Sequence, residues 1–194
     1  MGRKETRERI LEVALELFSE RAYDDVSMEE IAKKVGISKG GLFYHFSSKY
    51  ELAKEALFYG FEQWAKTIFP KILSAESPED KFKALIEYSF EFILNNPKLS
   101  RFFLEVYEES IKHGNGLGQW DAFYEEYLEL FGGIFEELGV PNPRLRAMLF
   151  GALLDGLALH YLVAGDEGRG YFDIEALKRE IFEMFRYRER EIKG

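Results

Sequence analysis

The sequence of 194 residues contains no cysteine, which excludes disulfide bonds, thiolate nucleophiles and cysteine-bound metals. It has only three histidines, His45, His113 and His160, and they lie too far apart for the spacing of a metal site. Asp155 and His160 are five residues apart, a poor separation for side chains that must meet on one helix face. We therefore expect neither an enzyme nor a bound cofactor or metal.

A long uncharged hydrophobic run is also missing. The most apolar segment, residues 148–164, is interrupted by Asp155 and His160 and is shorter than the roughly 20 residues that span a bilayer. This segment is predicted to be a buried helix rather than a membrane span. The N-terminus is charged and helical, unlike a secretory signal. These features favour a cytoplasmic protein without a membrane partner.

The alternating pattern of β-strands is absent, and apolar residues recur with helical spacing along the whole chain. The prolines, five in number, fall where helices are expected to begin, end or bend. We predict an all-α fold of about nine helices, near residues 4–21, 28–35, 39–45, 49–73, 78–95, 97–113, 119–138, 143–164 and 173–190.

Basic charge is scarce in this chain of net charge −9, and it is concentrated in one place. Residues 33–49 hold four lysines and His45 but no aspartate or glutamate. The first fifty residues are neutral overall, so the rest of the chain carries the negative charge. A locally basic tip on an acidic body would orient the molecule tip-first toward nucleic acid.

This basic segment carries the start and stop signals of two short helices. Ser27 and Glu30 have the spacing of a capping box at the start of the first helix. Gly36 is suited to end that helix, because glycine readily adopts the left-handed conformation found there. Ser38 then caps a helix whose residues Leu42 and Phe46, four apart, are predicted to face the core. The pattern indicates a helix-turn-helix.

Several motifs in residues 9–57 resemble the DNA-binding head of the TetR family of transcriptional regulators. The resemblance depends on the ordered combination and on its place near the N-terminus, since a lone helix-turn-helix is not specific. The matching motifs are Ala14-Leu-Glu-Leu-Phe18, Ile31-Ala32, Val35-Gly-Ile-Ser38, Leu42-Phe-Tyr-His-Phe46 and Lys49-Tyr-Glu-Leu52.

The resemblance implies a DNA-binding domain over residues 1–48 and a ligand-binding and dimerisation domain over residues 49–194. It implies that the second short helix reads DNA and that Ser27 and Lys49 anchor the DNA backbone. The family commonly has tyrosine where this chain has Phe43, so we expect an apolar contact there instead of a hydrogen bond. The implied DNA contacts are Ser27, Lys39, Gly40, Gly41, Phe43, Tyr44, His45 and Lys49.

The central part of the chain is rich in aromatic residues, and each of these alone is more simply explained by a helical core. The resemblance implies a ligand cavity in this part. An aromatic lining would suit a hydrophobic or amphipathic effector such as a fatty acyl group. The candidate lining residues are Phe61, Trp64, Tyr88, Phe92, Phe103, Tyr107, Trp120, Phe123, Tyr124, Tyr127 and His160.

The last two predicted helices have more apolar surface than one chain is expected to cover. Two-fold pairing into a four-helix bundle would cover it, as the resemblance also implies, and complete burial inside one chain is the alternative. The candidate residues of a homodimer interface are Gly151, Ala152, Gly156, Ile174, Leu177, Ile181 and Phe185.

The predicted function is that of a homodimeric repressor, released from a palindromic operator in double-stranded DNA by a small effector. A non-enzymatic module that uses the basic tip to bind a protein or an anionic surface is the alternative.

Overall fold

The structure is a computed structural model that describes residues 2–114 and 121–186. This part of the chain contains α-helices and short 3₁₀ turns and no strand. The prediction of an all-α fold is confirmed. The helices are α1 (Arg3–Glu20), α2 (Met28–Val35), α3 (Lys39–His45), α4 (Lys49–Leu73), α5 (Pro78–Asn95), α6 (Pro97–Lys112), α7 (Asp121–Glu137), α8 (Pro143–Gly168) and α9 (Ile174–Phe185).

The described residues form two compact units, which divide α4 and leave α6 with the N-terminal helices. The first unit holds residues up to Thr67 together with those from Lys98 to Gly114. The second holds residues 68–97 and 121–186. The sequence predicts a different boundary, near Lys49, between a DNA-binding domain and a ligand-binding domain. That division is by function, and it stays a prediction.

The core of the first unit is built where α1 meets α2, α3, α4 and α6. The α1 side chains Ile10, Ala14 and Phe18 are completely buried. The ring of Phe18 stacks on Phe102 of α6, with ring centroids 5.2 Å apart and an interplanar angle of 11°. Burial of such rings contributes a large part of the stability of a small core. The contact explains why α6 belongs to this unit.

The core of the second unit is a cluster of phenylalanine rings from α5, α7, α8 and α9. Phe82 lies 5.1 Å from Phe135 and 5.7 Å from Phe150, measured between ring centroids. Phe185 completes the cluster at 5.6 Å from Phe135 and 5.5 Å from Phe150. These separations lie in the range of favourable ring pairs, so the cluster fixes how the four helices pack.

Helix α8 buries only a small part of its apolar surface within the chain. Only 11% of its most apolar 18-residue stretch is buried, and Leu145 and Val163 are 53% and 76% exposed. The prediction that this helix is buried is wrong for the single chain, because only its narrow face around Phe150 meets the phenylalanine cluster. By length and composition alone, Pro143–Gly165 could also span a membrane. The helix is kinked at Gly165, whose φ of 59° suits glycine.

Candidate nucleic-acid interface

Helix α2 and the turn after it are held by local hydrogen bonds that the sequence predicts. The Ser27 hydroxyl accepts a bond from the Glu30 N–H at 3.1 Å, as expected of an N-cap. At the other end, Gly36 has a φ of 85°, and the Ile37 N–H donates to the Ala32 carbonyl at 3.0 Å. These bonds form a Schellman motif that fixes the turn between α2 and α3.

The Glu30 carboxylate does not complete the capping box and instead pairs with Arg21. The Arg21 Nη2 donates to the Glu30 Oε2 at 2.5 Å. This hydrogen bond is the main cause that holds the pKa of Glu30 below its usual value. The pair ties the end of α1 to the start of α2, and so contributes to the position of the helix-turn-helix on its supporting helix.

The first turn of helix α3 contains two glycines, Gly40 and Gly41, whose surroundings differ. The Ser38 hydroxyl accepts a bond from the Gly41 N–H at 3.0 Å, and a Cβ at Gly41 would lie 3.3 Å from that hydroxyl oxygen. A Cβ at Gly40 would meet nothing within 4 Å. The lack of a side chain at Gly40 therefore leaves the backbone open to a partner. At Gly41 it also leaves room for the Ser38 hydroxyl that caps the helix.

The side chains of α3 divide between the core and the outer face as predicted. Leu42 and Phe46 are buried, whereas Phe43 and Tyr44 are 45% and 65% exposed. His45 is half-buried and lies edge-on to Tyr44, with ring centroids 5.4 Å apart. Large exposed aromatic side chains on a capped helix beside a basic segment are a reasonable surface for a DNA groove.

Two lysines of the predicted interface differ in how accessible their ammonium groups are to a partner. The Lys39 ammonium lies 3.6 Å from Glu29, and both side chains are well exposed, so this ion pair is weak. The Lys49 ammonium instead lies 4.2 Å from the ring centroid of Tyr23. Burial lowers the pKa of Lys49, although the neighbouring carboxylates, led by that of Asp24, oppose the shift. In this position Lys49 is directed toward its own chain.

Arg101 and Glu105 on α6 support the interface from behind, and neither was predicted from the sequence. The Arg101 Nη2 donates to the carbonyl oxygens of Ser19 and Arg21 at 3.0 Å each. The Glu105 carboxylate accepts a bond from the Tyr23 N–H at 3.0 Å. These partners are about eighty residues apart in the chain, so no local pattern could have revealed them.

Comparison with known proteins agrees with this geometry. Residues 10–56 match the family model described as bacterial regulatory proteins of the tetR family. This segment is therefore similar to the DNA-binding segment of TetR-family regulators. The match covers most of α1, all of α2, all of α3, which presents Phe43 and Tyr44, and the start of α4.

The TetR-family resemblance to curated proteins covers only part of each chain. The biofilm operon icaADBC HTH-type negative transcriptional regulator IcaR of Staphylococcus aureus is 32% identical over 89 residues, or 46% of each chain. The uncharacterized HTH-type transcriptional regulator TtgW of Pseudomonas putida is 39% identical over 54 residues, or 28% of this chain and 40% of that one. The chain thus spans less than half the length of these relatives.

Solved structures resemble the chain over nearly its whole length, at identities that show the fold alone. Salmonella enterica GusR has a TM-score of 0.73 and 20% identity, covering 96% of this chain and 97% of that one. The fatty acid degradation regulator FadR from Bacillus halodurans has a TM-score of 0.66 and 20% identity, covering 98% of both. FadR from Bacillus subtilis, in complex with stearoyl-CoA, has a TM-score of 0.64 and 17% identity, covering 92% and 96%.

The predicted ligand residues are divided between the two compact units. The first unit contains Phe61, Trp64, Phe103 and Tyr107, where Phe61 meets Phe103 edge-on at 6.0 Å. The second contains Tyr88, Phe92, Tyr124, Tyr127 and His160. Trp120 lies outside the described residues, as does the side chain of Phe123.

A small apolar cavity of about 10 Å³ lies within the second unit, and no predicted ligand residue lines it. Its lining was not predicted from the sequence, because these residues look like ordinary core positions of separate helices. The lining consists of Phe90, Ile93, Leu94, Leu157, Tyr161, Phe172, Ile174 and Leu177.

In the described part of the chain, no group of three or more acidic or histidine side chains could hold a metal ion.

The residues predicted for the dimer interface prove to be of two kinds. Gly151, Ile181 and Phe185 are buried within the second unit, so their assignment to an interface is corrected: they pack the chain's own core. Ile174 and Leu177 are half-buried at the apolar cavity. Ala152 and Gly156 are exposed on α8 and remain available to a partner.

Proposed function

We propose that the protein is a homodimeric transcriptional repressor that binds operator DNA through α3 and releases it when a hydrophobic or amphipathic ligand binds. The observation that carries this proposal is the exposed pair Phe43 and Tyr44 on a helix fixed by the Ser38 cap and by buried Leu42. A regulator of this kind acts in the cytoplasm.

The proposed DNA contacts belong to three groups. Tyr44 and His45 read bases or contact phosphates, and Phe43 makes an apolar contact in the groove. Gly40 and Gly41 allow the backbone of α3 to approach the DNA closely. Lys39 and Ser27 contact the DNA backbone in every bound complex, and Lys49 contacts it in the fraction of complexes in which its ammonium leaves the Tyr23 ring.

The test is a footprint on the promoter of the protein's own gene, comparing wild type with Tyr44→Ala and with Tyr107→Ala as control. Tyr107 is also exposed, at 40%, but lies on α6. We expect a two-fold-symmetric protected site, with half-sites about 34 Å or a multiple apart, that weakens only with Tyr44→Ala. A genome-wide selection that recovers no bound DNA would favour the alternative, in which the basic tip binds a protein or an anionic surface.

Repression is supported by the name of the similar protein IcaR, which describes a negative transcriptional regulator.

A two-fold operator requires two DNA-binding domains. The second copy of the chain is proposed to pack on the exposed stripe of α8. The stripe is apolar over about 27 Å of helix, which a single chain would leave in water. Its members are Leu145, Met148, Leu149, Ala152, Gly156, Leu159 and Val163.

The proposed effector is a molecule with an acyl chain, and the entirely apolar cavity of the second unit supports this chemistry. The similar FadR from Bacillus subtilis was solved in complex with stearoyl-CoA, a molecule of this class. The cavity holds only about 10 Å³, far below the roughly 300–1,000 Å³ of most ligand pockets, so an acyl chain would have to open it.

Titration of the protein–operator complex with long-chain acyl-CoA tests the effector. Release of DNA at micromolar acyl-CoA supports the proposal, and Leu157→Trp, which blocks the cavity, should retain DNA binding but lose the response. Leu157→Met is the matched control, because it conserves volume and polarity. Release that is equal in both variants would place the effector elsewhere, and free coenzyme A separates binding of the chain from binding of the nucleotide.

A further inference from the structure

The first turn of α1 lies beside the exposed face of α3. The guanidinium carbon of Arg3 is 5.1 Å from the ring centroid of Tyr44. This distance is within the range of a cation–π contact, in which the planar guanidinium covers the ring face. The most exposed aromatic side chain of α3 is therefore accompanied by a positive charge from a different helix.

Arg3 differs from the other arginines at the start of α1 in having its charge available. Arg7 pairs with Glu55, and its guanidinium also lies 4.9 Å from the ring of Phe46. Arg9 pairs with Glu12 at 3.3 Å. Within residues 2–114 and 121–186, Arg3 forms no ion pair with a carboxylate.

The nearest acidic residue along the chain is itself occupied. The Glu5 carboxylate accepts a hydrogen bond from the Gly2 N–H at 2.9 Å, which closes the first turn of α1. An arginine that stacks on an aromatic ring keeps its N–H donors directed outward along the plane of the guanidinium. Such donors are well suited to bind a phosphate through two parallel hydrogen bonds.

We propose that Arg3 is a phosphate-binding residue that the Tyr44 ring positions, so that the DNA interface extends from α3 to the first turn of α1. This inference rests on the proposed function, because it requires α3 to meet DNA. A helix that lies in a groove brings the residues beside it near the phosphates of the groove wall. Tyr44 then has two roles, contacting DNA itself and holding Arg3 in place.

The experiment measures how affinity for a mixed-sequence 30-base-pair duplex depends on salt, because a phosphate contact does not require the operator sequence. Arg3→Ala is compared with Arg9→Ala, which removes the same charge from the same helix. We expect Arg3→Ala to weaken binding roughly tenfold and to lower the slope of log K against log salt by about 0.9 per bound chain. Arg9→Ala should change the slope by less than about 0.3, because only long-range charge is lost.

Variants of Tyr44 test the positioning. The effect of Arg3→Ala is measured again in the Tyr44→Phe background, which keeps the ring, and in the Tyr44→Leu background, which removes it. The slope difference caused by Arg3→Ala should persist with Tyr44→Phe and disappear with Tyr44→Leu. Equal differences in both backgrounds would refute the positioning by Tyr44.

The outcomes separate this inference from the function on which it rests. If wild type binds the duplex but Arg3→Ala and Arg9→Ala have equal slopes, the phosphate contact is wrong and the DNA-binding function stands. If wild type binds neither this duplex nor any selected DNA, both are wrong. Thermal unfolding of each variant checks that a change in DNA binding does not result from unfolding of the protein.

Discussion

Tyr127 lies against the bare backbone of Gly151, where any side chain would collide with it. A Cβ at Gly151 would be 1.9 Å from the Tyr127 hydroxyl oxygen and 2.6 Å from its Cζ. The same hydroxyl donates to the Ala147 carbonyl at 3.3 Å. Gly151 therefore allows α7 to pack closely on α8, which accounts for a glycine that the sequence alone assigned to a dimer interface.

Gly151→Ala is expected to lower the free energy of unfolding by about 2 kcal/mol, because the ring of Tyr127 must move out of a packed site. Gly133→Ala in α7 is the matched control, since a Cβ there meets nothing within 4 Å. At that site alanine should be neutral or stabilising by up to about 1 kcal/mol through helix propensity. Urea unfolding of both variants checks the prediction, and equal stability would show that Tyr127 is free to shift.

The helix boundaries could be predicted from the sequence because local groups determine them. Ser27, Gly36 and Ser38 cap or end their helices in the structure through bonds to backbone groups within five residues. Capping depends on such short separations, so a linear pattern reveals it. The inward direction of Leu42 and Phe46 follows for the same reason, from their separation by about one helical turn.

The buried face of α8 could not be predicted in the same way. This helix is apolar around most of its circumference, so periodicity does not distinguish the side that meets Phe82 from the exposed side of Val163. Contacts with α5, α7 and α9 determine the choice, and these helices are distant in sequence. Arg101 was missed for a related reason: its carbonyl partners, such as that of Ser19, become visible only when α6 packs on α1.

Arg101→Ala is expected to destabilise the first unit by about 2 kcal/mol. The change removes charge-assisted bonds to the carbonyl oxygens of Ser19 and Arg21, which end α1. Arg101→Lys keeps the charge but not the planar fork, so its loss should be smaller. Urea unfolding measures both. Identical losses would mean that the planar arrangement of donors contributes little.

Lys49→Ala should have a smaller effect on DNA binding than Lys39→Ala. The Lys49 ammonium lies over the Tyr23 ring, where burial lowers its pKa, whereas the Lys39 side chain is 60% exposed. We expect the slope of log K against log salt to fall by about 0.9 for Lys39→Ala and by less than half of that for Lys49→Ala. A full decrease for Lys49→Ala would show that its ammonium turns away from Tyr23 to bind a phosphate.

The exposed stripe of α8 also predicts how two copies pair. Its small residues, Ala152 and Gly156, lie in the middle, and Leu149 and Leu159 lie at equal distances on either side. In an antiparallel two-fold pair centred between the small residues, Leu149 of one copy meets Leu159 of the other. Small side chains at the crossing let the helices approach, and the larger ones pack on both sides of it.

Cysteine cross-linking can test this register directly because the chain has no cysteine of its own. The variant with both Leu149→Cys and Leu159→Cys should form a disulfide-linked dimer under mild oxidation. Each single variant should not, since like positions would be about 15 Å apart along the helix axis, beyond disulfide reach. Lys83→Cys on the surface of α5 controls for random collision. Linkage of the single variants would indicate a parallel pair, and no linkage in any variant would mean that this stripe meets a different partner, such as a membrane.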